Sequence, residues 1–252
     1  MNTRFRKLRG NPRIFNKVVA EFISTQDKSR ALNILMSAPW VDDKFRLKGI
    51  DKRELCRDYL AMFIDIYQPD AGFEIQPCDR YSMDKNCGAK IVVTKSWFAK
   101  ETISTLKGVV ANLDKSDEES ILVAGQNDFS VMYSTRRKSA QLWLGPAAFI
   151  NHDCEPTCKF SVTDSGHITI VALRQLKPGD EVTCFYGKGF FGENNENCEC
   201  ITCEQMKSFQ QEKGQENVSS SSESVSSDSS SRKAYPVRKN RGSKSVYYGF
   251  FE

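Results

Sequence analysis

Apolar side chains recur at helical spacing in the first part of the chain. Two sets repeat every three or four positions, which is the period of one helix face. They are Phe15, Val18, Val19, Phe22 and Ile23, followed by Leu55, Tyr59, Met62, Phe63 and Ile66. We therefore expect helices over residues 1–67, interrupted near Pro39 and Gly49 because both residues disfavour helix interiors.

The middle of the chain carries short segments rich in β-branched and aromatic residues, a composition typical of strands. These segments lie at residues 73–76, 89–94, 106–113, 129–133, 159–162, 167–173 and 181–185. Turn-forming sequences separate several of them, for example Pro178-Gly179. The pattern predicts a mainly β region behind the helical one.

The end of the chain has no such pattern. Ten of the fourteen residues from 218 to 231 are serine, and such a composition buries too little apolar surface to offset the entropy lost on ordering. We expect residues 207–252 to form a disordered, Ser-rich and basic tail.

Charge is concentrated at the two ends of the 252-residue chain, whose net charge is only +4. The basic residues in question are Arg4, Arg6, Lys7, Arg9, Arg13, Arg232, Lys233, Arg238, Lys239, Arg241 and Lys244. They predict nonspecific contact with an anionic partner such as DNA, and the alternative is a solvated terminus without function. The absence of an 18-residue apolar run or a signal-peptide pattern predicts an intracellular protein without membrane contact.

Cysteine usage points to metal. The chain has nine cysteines, an odd number, and three of them are packed into Cys198, Cys200 and Cys203. In a reducing compartment this favours thiolate ligands over disulfides, and zinc is the first metal to consider. Structural zinc takes four ligands, so a fourth must come from elsewhere. The alternative is a set of reduced, buried cysteines without metal.

Three motif segments follow one another between residues 149 and 203. They read Phe-Ile-Asn-His-Asp-Cys-Glu-Pro at 149–156, Leu-Lys-Pro-Gly-Asp-Glu-Val-Thr-Cys-Phe-Tyr-Gly at 176–187, and Cys-Glu-Cys-Ile-Thr-Cys at 198–203. In this order they resemble the SET-domain lysine methyltransferases. Segments 127–136, 142–148 and 189–196 are similar to the histone H4 lysine 20 methyltransferases of the suppressor of variegation 4-20 class. The resemblance covers residues 1–204.

The resemblance implies a mainly β SET fold, in which small β-sheets surround a pseudoknot. An N-terminal helical domain over residues 1–68 precedes the SET domain at 69–190. A zinc-binding post-SET segment at 191–206 comes before the tail at 207–252.

The resemblance also implies the site residues. Tyr186 matches the tyrosine that orients the acceptor amine, and Ser130 and Trp143 match residues of the lysine channel. The residue two before the tyrosine is Cys184, which is small enough to leave room for a methylated amine. Cysteine-rich members hold zinc with a cysteine of the Asn-His segment, which nominates Cys154 beside Cys198, Cys200 and Cys203; Cys158 is the runner-up.

S-adenosylmethionine is the implied cofactor. The residues implied to bind it are Tyr81, Ser82, Met83, Asp84, Ala89, Arg136, Asn151, His152 and Glu199. His152 therefore takes a cofactor-side role in place of a metal-ligand role. The chain departs from the family pattern before the first SET strand, where only Gly88 remains of a Gly-x-Gly motif.

The implied function is methyl transfer to lysine 20 of histone H4, acting on the monomethylated lysine to give di- or trimethyl product. The implied partners are the histone H4 tail and the nucleosome, and the implied location is nuclear chromatin. One alternative is a non-enzymatic SET-type chromatin-binding module, although Tyr186, Asn151 and His152 are all present. A second is a zinc-dependent nucleic-acid binder, although the cysteines lack the paired spacing of zinc fingers.

Overall fold

The structure is a computed structural model that describes residues 10–45, 50–81, 88–122, 130–134, 139–163 and 166–216. The helices are α1 (Pro12–Thr25), α2 (Lys28–Met36), α3 (Pro39–Phe45), α4 (Ile50–Asp65), α5 (Lys115–Ile121) and α6 (Ile201–Glu216). The strands are β1 (Phe73–Cys78), β2 (Gly88–Val93), β3 (Gly108–Asn112), β4 (Val131–Ser134), β5 (Ser139–Leu144), β6 (Asn151–His152), β7 (Cys158–Val162), β8 (His167–Ala172) and β9 (Glu181–Cys184). Short 3₁₀ helices cover Pro146–Phe149 and Glu193–Asn195.

The first four helices pack around their own apolar cluster. The Asn11 side chain caps α1 by accepting hydrogen bonds from the backbone of Arg13 and Ile14 at 3.0 and 3.3 Å, which satisfies N–H groups that the helix leaves free. The buried face of α1 matches the predicted period over Phe15 to Phe22, but Ile23 is 54% exposed. Leu55 is likewise 68% exposed. Helical spacing therefore located the helices, but it overextended the buried face at these two positions.

The strands form two sheets. The first has the order β1-β2-β9-β6 and the second the order β4-β5-β3-β8-β7. Among the described residues, the strand pairings are antiparallel except that of β6 with β9, which is parallel. This pairing sets Asn151 opposite Thr183 and His152 opposite Cys184. Two motif segments that lie far apart in the sequence are thereby brought side by side.

The main core lies between the two sheets. Ile91 and Val182 come from the first sheet, and Ile170 comes from the second; all three have no exposed surface. The Trp97 indole N–H donates to the Gly72 carbonyl at 3.2 Å. Gly72 has φ +79°, and a Cβ there would lie 2.6 Å from the Trp97 ring. Only glycine fits this approach, which closes the turn before β1 onto the core.

Helix α6 corrects the predicted start of the disordered tail. The tail was expected from residue 207, but α6 continues to Glu216. Residues 204–213 include Glu, Gln, Met and Lys, which are good helix formers, and the serine run begins only afterwards. The rest of the predicted tail lies outside the described residues. None of the described helices combines the length and the apolar composition that a membrane crossing requires.

Candidate functional site

A narrow cavity of about 20 Å³ lies beside the parallel strand pair, with room for the centre of about one water molecule. Its lining includes all four residues that the sequence predicted for the acceptor channel, namely Ser130, Trp143, Cys184 and Tyr186. The remaining lining residues are Val131, Met132, Ala147, Ala148, Ile150, Phe160 and Phe190. The cavity is therefore built almost entirely from apolar and aromatic groups.

Aromatic rings dominate the walls of this cavity. Trp143 and Phe160 meet edge to face with centroids 4.7 Å apart, and Tyr186 and Phe190 do so at 5.1 Å. Such walls suit an alkylammonium group or a desolvated amine. Sequence reasoning missed Phe160 and Phe190. Phe190 stands within the family-specific segment 189–196, which was the available signal for it.

Tyr186 is fixed at both its backbone and its side chain. It follows β9, its hydroxyl donates to the Ile150 carbonyl, and its backbone N–H donates to His152 Nδ1 at 3.1 Å. Because the hydroxyl proton is directed to Ile150, the oxygen keeps lone pairs with which to accept a further hydrogen bond. The residue is thus held as an acceptor at the wall of the cavity.

His152 is buried and its tautomer is set by its neighbours. Nδ1 accepts from the Tyr186 backbone, so the neutral ring carries its proton on Nε2. Nε2 lies 3.4 Å from the Cys154 sulfur and donates to it. A protonated Nε2 has no lone pair for a metal ion. This arrangement favours a role for His152 in orienting its neighbours over a role as a metal ligand.

Asn151 is the most completely enclosed polar residue of the site, with 1% of its surface exposed. Its Nδ2 donates to the Ala89 carbonyl at 3.0 Å and to Glu181 Oε1 at 3.1 Å. Both partners are acceptors, so they fix which end of the amide is the nitrogen. The opposite atom, Oδ1, is buried and has no hydrogen-bond partner among the described residues. It is an acceptor available for a donor group of a ligand.

The structure describes only some of the other residues implied for the cofactor. Ala89 is buried on β2 and supplies the carbonyl just described. Burial, reinforced by the neighbouring Glu181 carboxylate, raises the pKa of Tyr81 far above its usual value, so the phenol keeps its proton. Glu199 is partly buried between Cys198 and Cys200. Ser82, Met83, Asp84 and Arg136 lie outside the described residues.

The cysteine cluster gathers at the start of α6. Cys154 Sγ lies 3.5 Å from Cys203 Sγ and 4.0 Å from Cys198 Sγ. The backbone N–H groups of Cys154 and Cys203 both donate to Cys200 Sγ at 3.5 Å. Sulfurs on one tetrahedral zinc ion, with Zn–S of about 2.3 Å, are roughly 3.8 Å apart. The four predicted cysteines therefore fit a closed structural zinc site.

A second candidate set of metal ligands contains His152 in place of Cys203. The ligand atoms of His152, Cys154, Cys198 and Cys200 lie within 4.8 Å of one another. We favour the four sulfurs because the tautomer of His152 leaves Nε2 protonated. Burial, together with the Cys203 thiol, raises the pKa of Cys154 to about 12. Without a cation this residue is a neutral thiol, and binding of a divalent ion would release its proton.

Cys158, the runner-up ligand, lies elsewhere. It belongs to β7, has no exposed surface, and packs in the main core. Burial raises its pKa to about 11, as expected of a small structural residue.

Two side-chain contacts that sequence reasoning missed hold the first turn of α6. Asp153, 6% exposed, accepts from the Thr202 hydroxyl at 2.5 Å and from the Glu155 backbone at 2.8 Å. Arg80 forms an ion pair with Glu204. The Asn-His-Asp-Cys segment and the residue before Tyr81 are thereby both joined to the helix that carries Cys203.

The family model described as the SET domain matches residues 17–187. The chain is 42% identical over 196 residues to the histone-lysine N-methyltransferase Suv4-20 of Caenorhabditis briggsae, which covers 77% of this chain. It is 49% identical over 165 residues to the protein of the same name in Caenorhabditis elegans, covering 64% of this chain. The chain spans 60% and 57% of the length of these two relatives. The histone-lysine N-methyltransferase set9 of Schizosaccharomyces pombe is 31% identical over 193 residues, covering 77% of this chain and 43% of its own length. With a SET-domain match over more than half of its residues, the chain belongs to the SET-domain family.

Proposed function

We propose that this protein is a histone-lysine N-methyltransferase that transfers a methyl group from S-adenosylmethionine to lysine 20 of histone H4. The observation that carries the proposal is the pairing of β6 with β9, which links the residues of the aromatic cavity to Asn151. Tyr186 lines the aromatic cavity and donates its backbone N–H to His152. The neighbouring residue, Asn151, holds the unpaired buried oxygen. The proposal assigns the acceptor site and the donor site to this one pair of strands.

The cavity suits a lysine that must lose its proton before it attacks. A lysine with a pKa near 10.4 is about three pH units from the neutral form at pH 7, which costs roughly 4 to 5 kcal/mol. An apolar, aromatic wall lowers this cost because desolvation disfavours the ammonium form. The Tyr186 oxygen accepts a hydrogen bond from the amine and so directs its lone pair. Alignment of this kind accounts for much of the rate of a transfer that needs no covalent intermediate.

The donor pocket is assigned to the residues around Asn151. S-adenosylmethionine, when bound, supplies a methyl group activated on a sulfonium. Asn151 Oδ1 is suited to accept a hydrogen bond from the amino group of such a ligand, since Ala89 and Glu181 occupy its amide nitrogen. Tyr81 and Glu199 complete the pocket in this proposal. The roles of Ser82, Met83, Asp84 and Arg136 are proposed from the family resemblance.

Zinc on Cys154, Cys198, Cys200 and Cys203 is proposed to hold the post-SET segment closed over the donor pocket. Glu199 stands between two of these ligands, so folding around the metal would carry it toward the pocket. Three of the four cysteines follow β9, whereas Cys154 is the second residue after β6. The ion would therefore tie the end of the chain to the strand that carries Asn151.

The choice of substrate follows the names of the relatives. Two Suv4-20 histone-lysine N-methyltransferases resemble this chain at 42% and 49% identity, which supports a histone substrate and nuclear chromatin as its location. Cys184 has no exposed surface and a small side chain, which leaves room for a monomethylated lysine and favours the dimethyl or trimethyl product. The nucleosome is the proposed physiological form of the substrate, with DNA contacts through the basic ends.

The test is to incubate the protein with S-adenosylmethionine and either H4 tail peptide or recombinant nucleosomes, and to read methylation by mass spectrometry. We expect methylation confined to lysine 20. Tyr186→Phe should lower turnover by about 10- to 100-fold because alignment of the amine is lost, whereas Tyr67→Phe, a partly exposed tyrosine after α4, should not. Tight binding of H4 peptide without any transfer would instead support a non-enzymatic binding module.

A further inference from the structure

A buried carboxylate joins the helical region to the sheets, away from the proposed site. Asp65 ends α4 and is 3% exposed. Its carboxylate forms ion pairs with Lys28 of α2 and with Lys107, whose Nζ lies 3.1 Å from Oδ2. Gln68 Nε2 also donates to it at 2.9 Å. Lys107 immediately precedes β3 of the second sheet.

This arrangement is better suited to fixing geometry than to adding stability. Both lysines remain substantially exposed, 37% and 49% for their side chains, so solvent screens the attraction. The desolvation of the carboxylate offsets much of what remains. In some proteins a buried charge of this kind specifies how two elements meet.

The same face of α4 contacts one glycine at the end of β5. Burial raises the pKa of the Tyr59 phenol to about 12, and the backbone amide of Gly145 beside the phenol opposes that rise. A Cβ at Gly145, which has φ +84°, would lie 3.3 Å from Met62 Sδ and 3.2 Å from Gly108 Cα. Tyr59, Met62 and Asp65 are spaced three residues apart, so one side of the helix makes all of these contacts.

The residues that α4 contacts are hydrogen-bonded to the wall of the acceptor cavity. The Lys107 carbonyl accepts from the Ala147 backbone N–H at 2.9 Å, and the Gly145 carbonyl accepts from that of Ala148 at 3.0 Å. Ala147 and Ala148 belong to the 3₁₀ helix that lines the cavity. Each positioning contact of α4 is therefore one hydrogen bond away from this wall.

We propose that α4 sets the position of the Ala147–Ala148 wall of the acceptor cavity, with Tyr59 and Asp65 as positioning residues. The kinetic part of this inference rests on the proposed methyltransferase function. A shift of the wall changes how the amine is presented to Tyr186, and rates respond steeply to small misplacements near a reacting centre. The helical region thereby contributes to acceptor geometry as well as to the stability of the fold.

The test uses Tyr59→Phe, which removes one hydroxyl and keeps the ring, and Asp65→Asn, which removes the charge. The kinetic readouts are kcat and product methylation state on H4 peptide. Each variant should lower kcat by roughly 10-fold and change the ratio of mono-, di- and trimethyl products. Affinity for S-adenosylhomocysteine, measured by calorimetry, should stay unchanged because the donor pocket lies on β6 and β9.

The matched control is Leu35→Val, which loosens the helical cluster in which Leu35 is fully buried. It should lower the melting temperature without changing kcat or product ratio. A second readout needs no activity: in protein labelled at alanine methyl carbons, the NMR signals of Ala147 and Ala148 should move in Tyr59→Phe and Asp65→Asn but stay in place in Leu35→Val. If Asp65→Asn does not fold, Lys107→Gln removes the sheet-side partner and should give the same result.

Unchanged alanine signals and unchanged kinetics in Tyr59→Phe would overturn the inference, as would the same kinetic loss in Leu35→Val. A wild-type protein that transfers no methyl group would overturn the proposed function instead. In that case the alanine signals alone decide whether α4 positions the wall.

Discussion

The neighbours of Asn151 determine which atom of its side-chain amide remains without a partner. Two acceptors, the Ala89 carbonyl and the Glu181 carboxylate, occupy the nitrogen. The oxygen is buried and has no hydrogen-bond partner among the described residues. A buried acceptor without a partner is costly, and in the proposed function a donor group of the ligand offsets that cost.

We predict that Glu181→Gln weakens binding of S-adenosylhomocysteine by roughly 10-fold, the value expected for one hydrogen bond to a charged group. Glutamine offers both a donor and an acceptor, so it permits Asn151 to turn its nitrogen toward the pocket. Methylthioadenosine lacks the amino-acid part, and its affinity should not change. Calorimetry with both ligands distinguishes a loss of binding at the amino-acid part from a general loss of affinity.

The control for this prediction is Asp180→Asn, which alters the neighbouring acid. Its Oδ2 accepts from the Lys177 backbone at 2.8 Å, and an asparagine oxygen can keep that bond. Equal losses for both ligands in Glu181→Gln would indicate a general distortion of β9 and would remove the amide orientation as the cause.

Cys184 lines the cavity that is proposed to hold the acceptor lysine. The cavity measures about 20 Å³, and a phenylalanine in place of this buried thiol would fill it. Cys184→Phe should therefore shift products toward fewer methyl groups, whereas Cys184→Ser should preserve the wild-type products. Overpacking costs about 1 to 3 kcal/mol, so the melting temperature should be followed in parallel.

Competition between unmodified and monomethylated H4 peptides, read by mass, tests the same point in the wild-type protein. We expect the monomethylated peptide to be used at least as well as the unmodified one. A clear preference for the unmodified lysine would contradict the role given to Cys184.

At the scale of elements, the sequence located most strands but not all of them. The segments rich in β-branched residues correspond to β1, β2, β3, β4, β7, β8 and β9. Strand β5 was missed because its buried residues, Ala140 and Trp143, are three positions apart and break the alternation of a strand. Strand β6 has only two residues, too few for any periodic signal. Both strands matter for the site, since β5 carries Trp143 and β6 carries Asn151.

Helix α6 was missed for a related reason. Its exposed Met206 and Phe209 provide no apolar face that a period could reveal. Its first turn is instead fixed by contacts from distant segments, including that of Asp153 with Thr202. These contacts form only in the completed fold, so no local sequence pattern predicts them. The cysteine spacing did indicate a site in this region, because metal ligands can be recognised from residue type and spacing alone.

We predict that the purified protein contains about one equivalent of zinc and that Cys200→Ser loses both the metal and S-adenosylhomocysteine binding. The physical reason is that Cys200 accepts hydrogen bonds from the backbones of both Cys154 and Cys203, so the cluster is organised around its sulfur. Cys56→Ser, in the helical cluster, should keep both. Elemental analysis measures the zinc content, and calorimetry measures the binding of S-adenosylhomocysteine. Less than about half an equivalent of zinc would exclude the site.

For the whole molecule, the site is assembled from segments far apart in the chain. β6 meets β9 in the first sheet, β5 brings Trp143 from the second, and the start of α6 with the residues just before it brings the last three cysteines. Sequence motifs named most of these residues because each motif keeps its own spacing. Phe160 was not named, because its place against Trp143 follows from the folding of the second sheet, which contains both β5 and β7, and no motif contains it.

The last prediction concerns the basic C-terminal residues and uses the observed end of α6. A truncation after Glu216 keeps the helix whole and removes Arg232, Lys233, Arg238, Lys239, Arg241 and Lys244. If these residues contact DNA phosphates, the slope of log affinity against log salt on nucleosomes should fall in magnitude by up to about 5, because each phosphate contact contributes about 0.9. Turnover on a short H4 peptide should not change, since phosphate contacts position the protein without taking part in chemistry. A full-length variant with these six residues changed to glutamine is the matched control, and it should reproduce the loss of salt dependence. Should both variants lose peptide turnover as strongly as nucleosome turnover, the tail would belong to the active site instead.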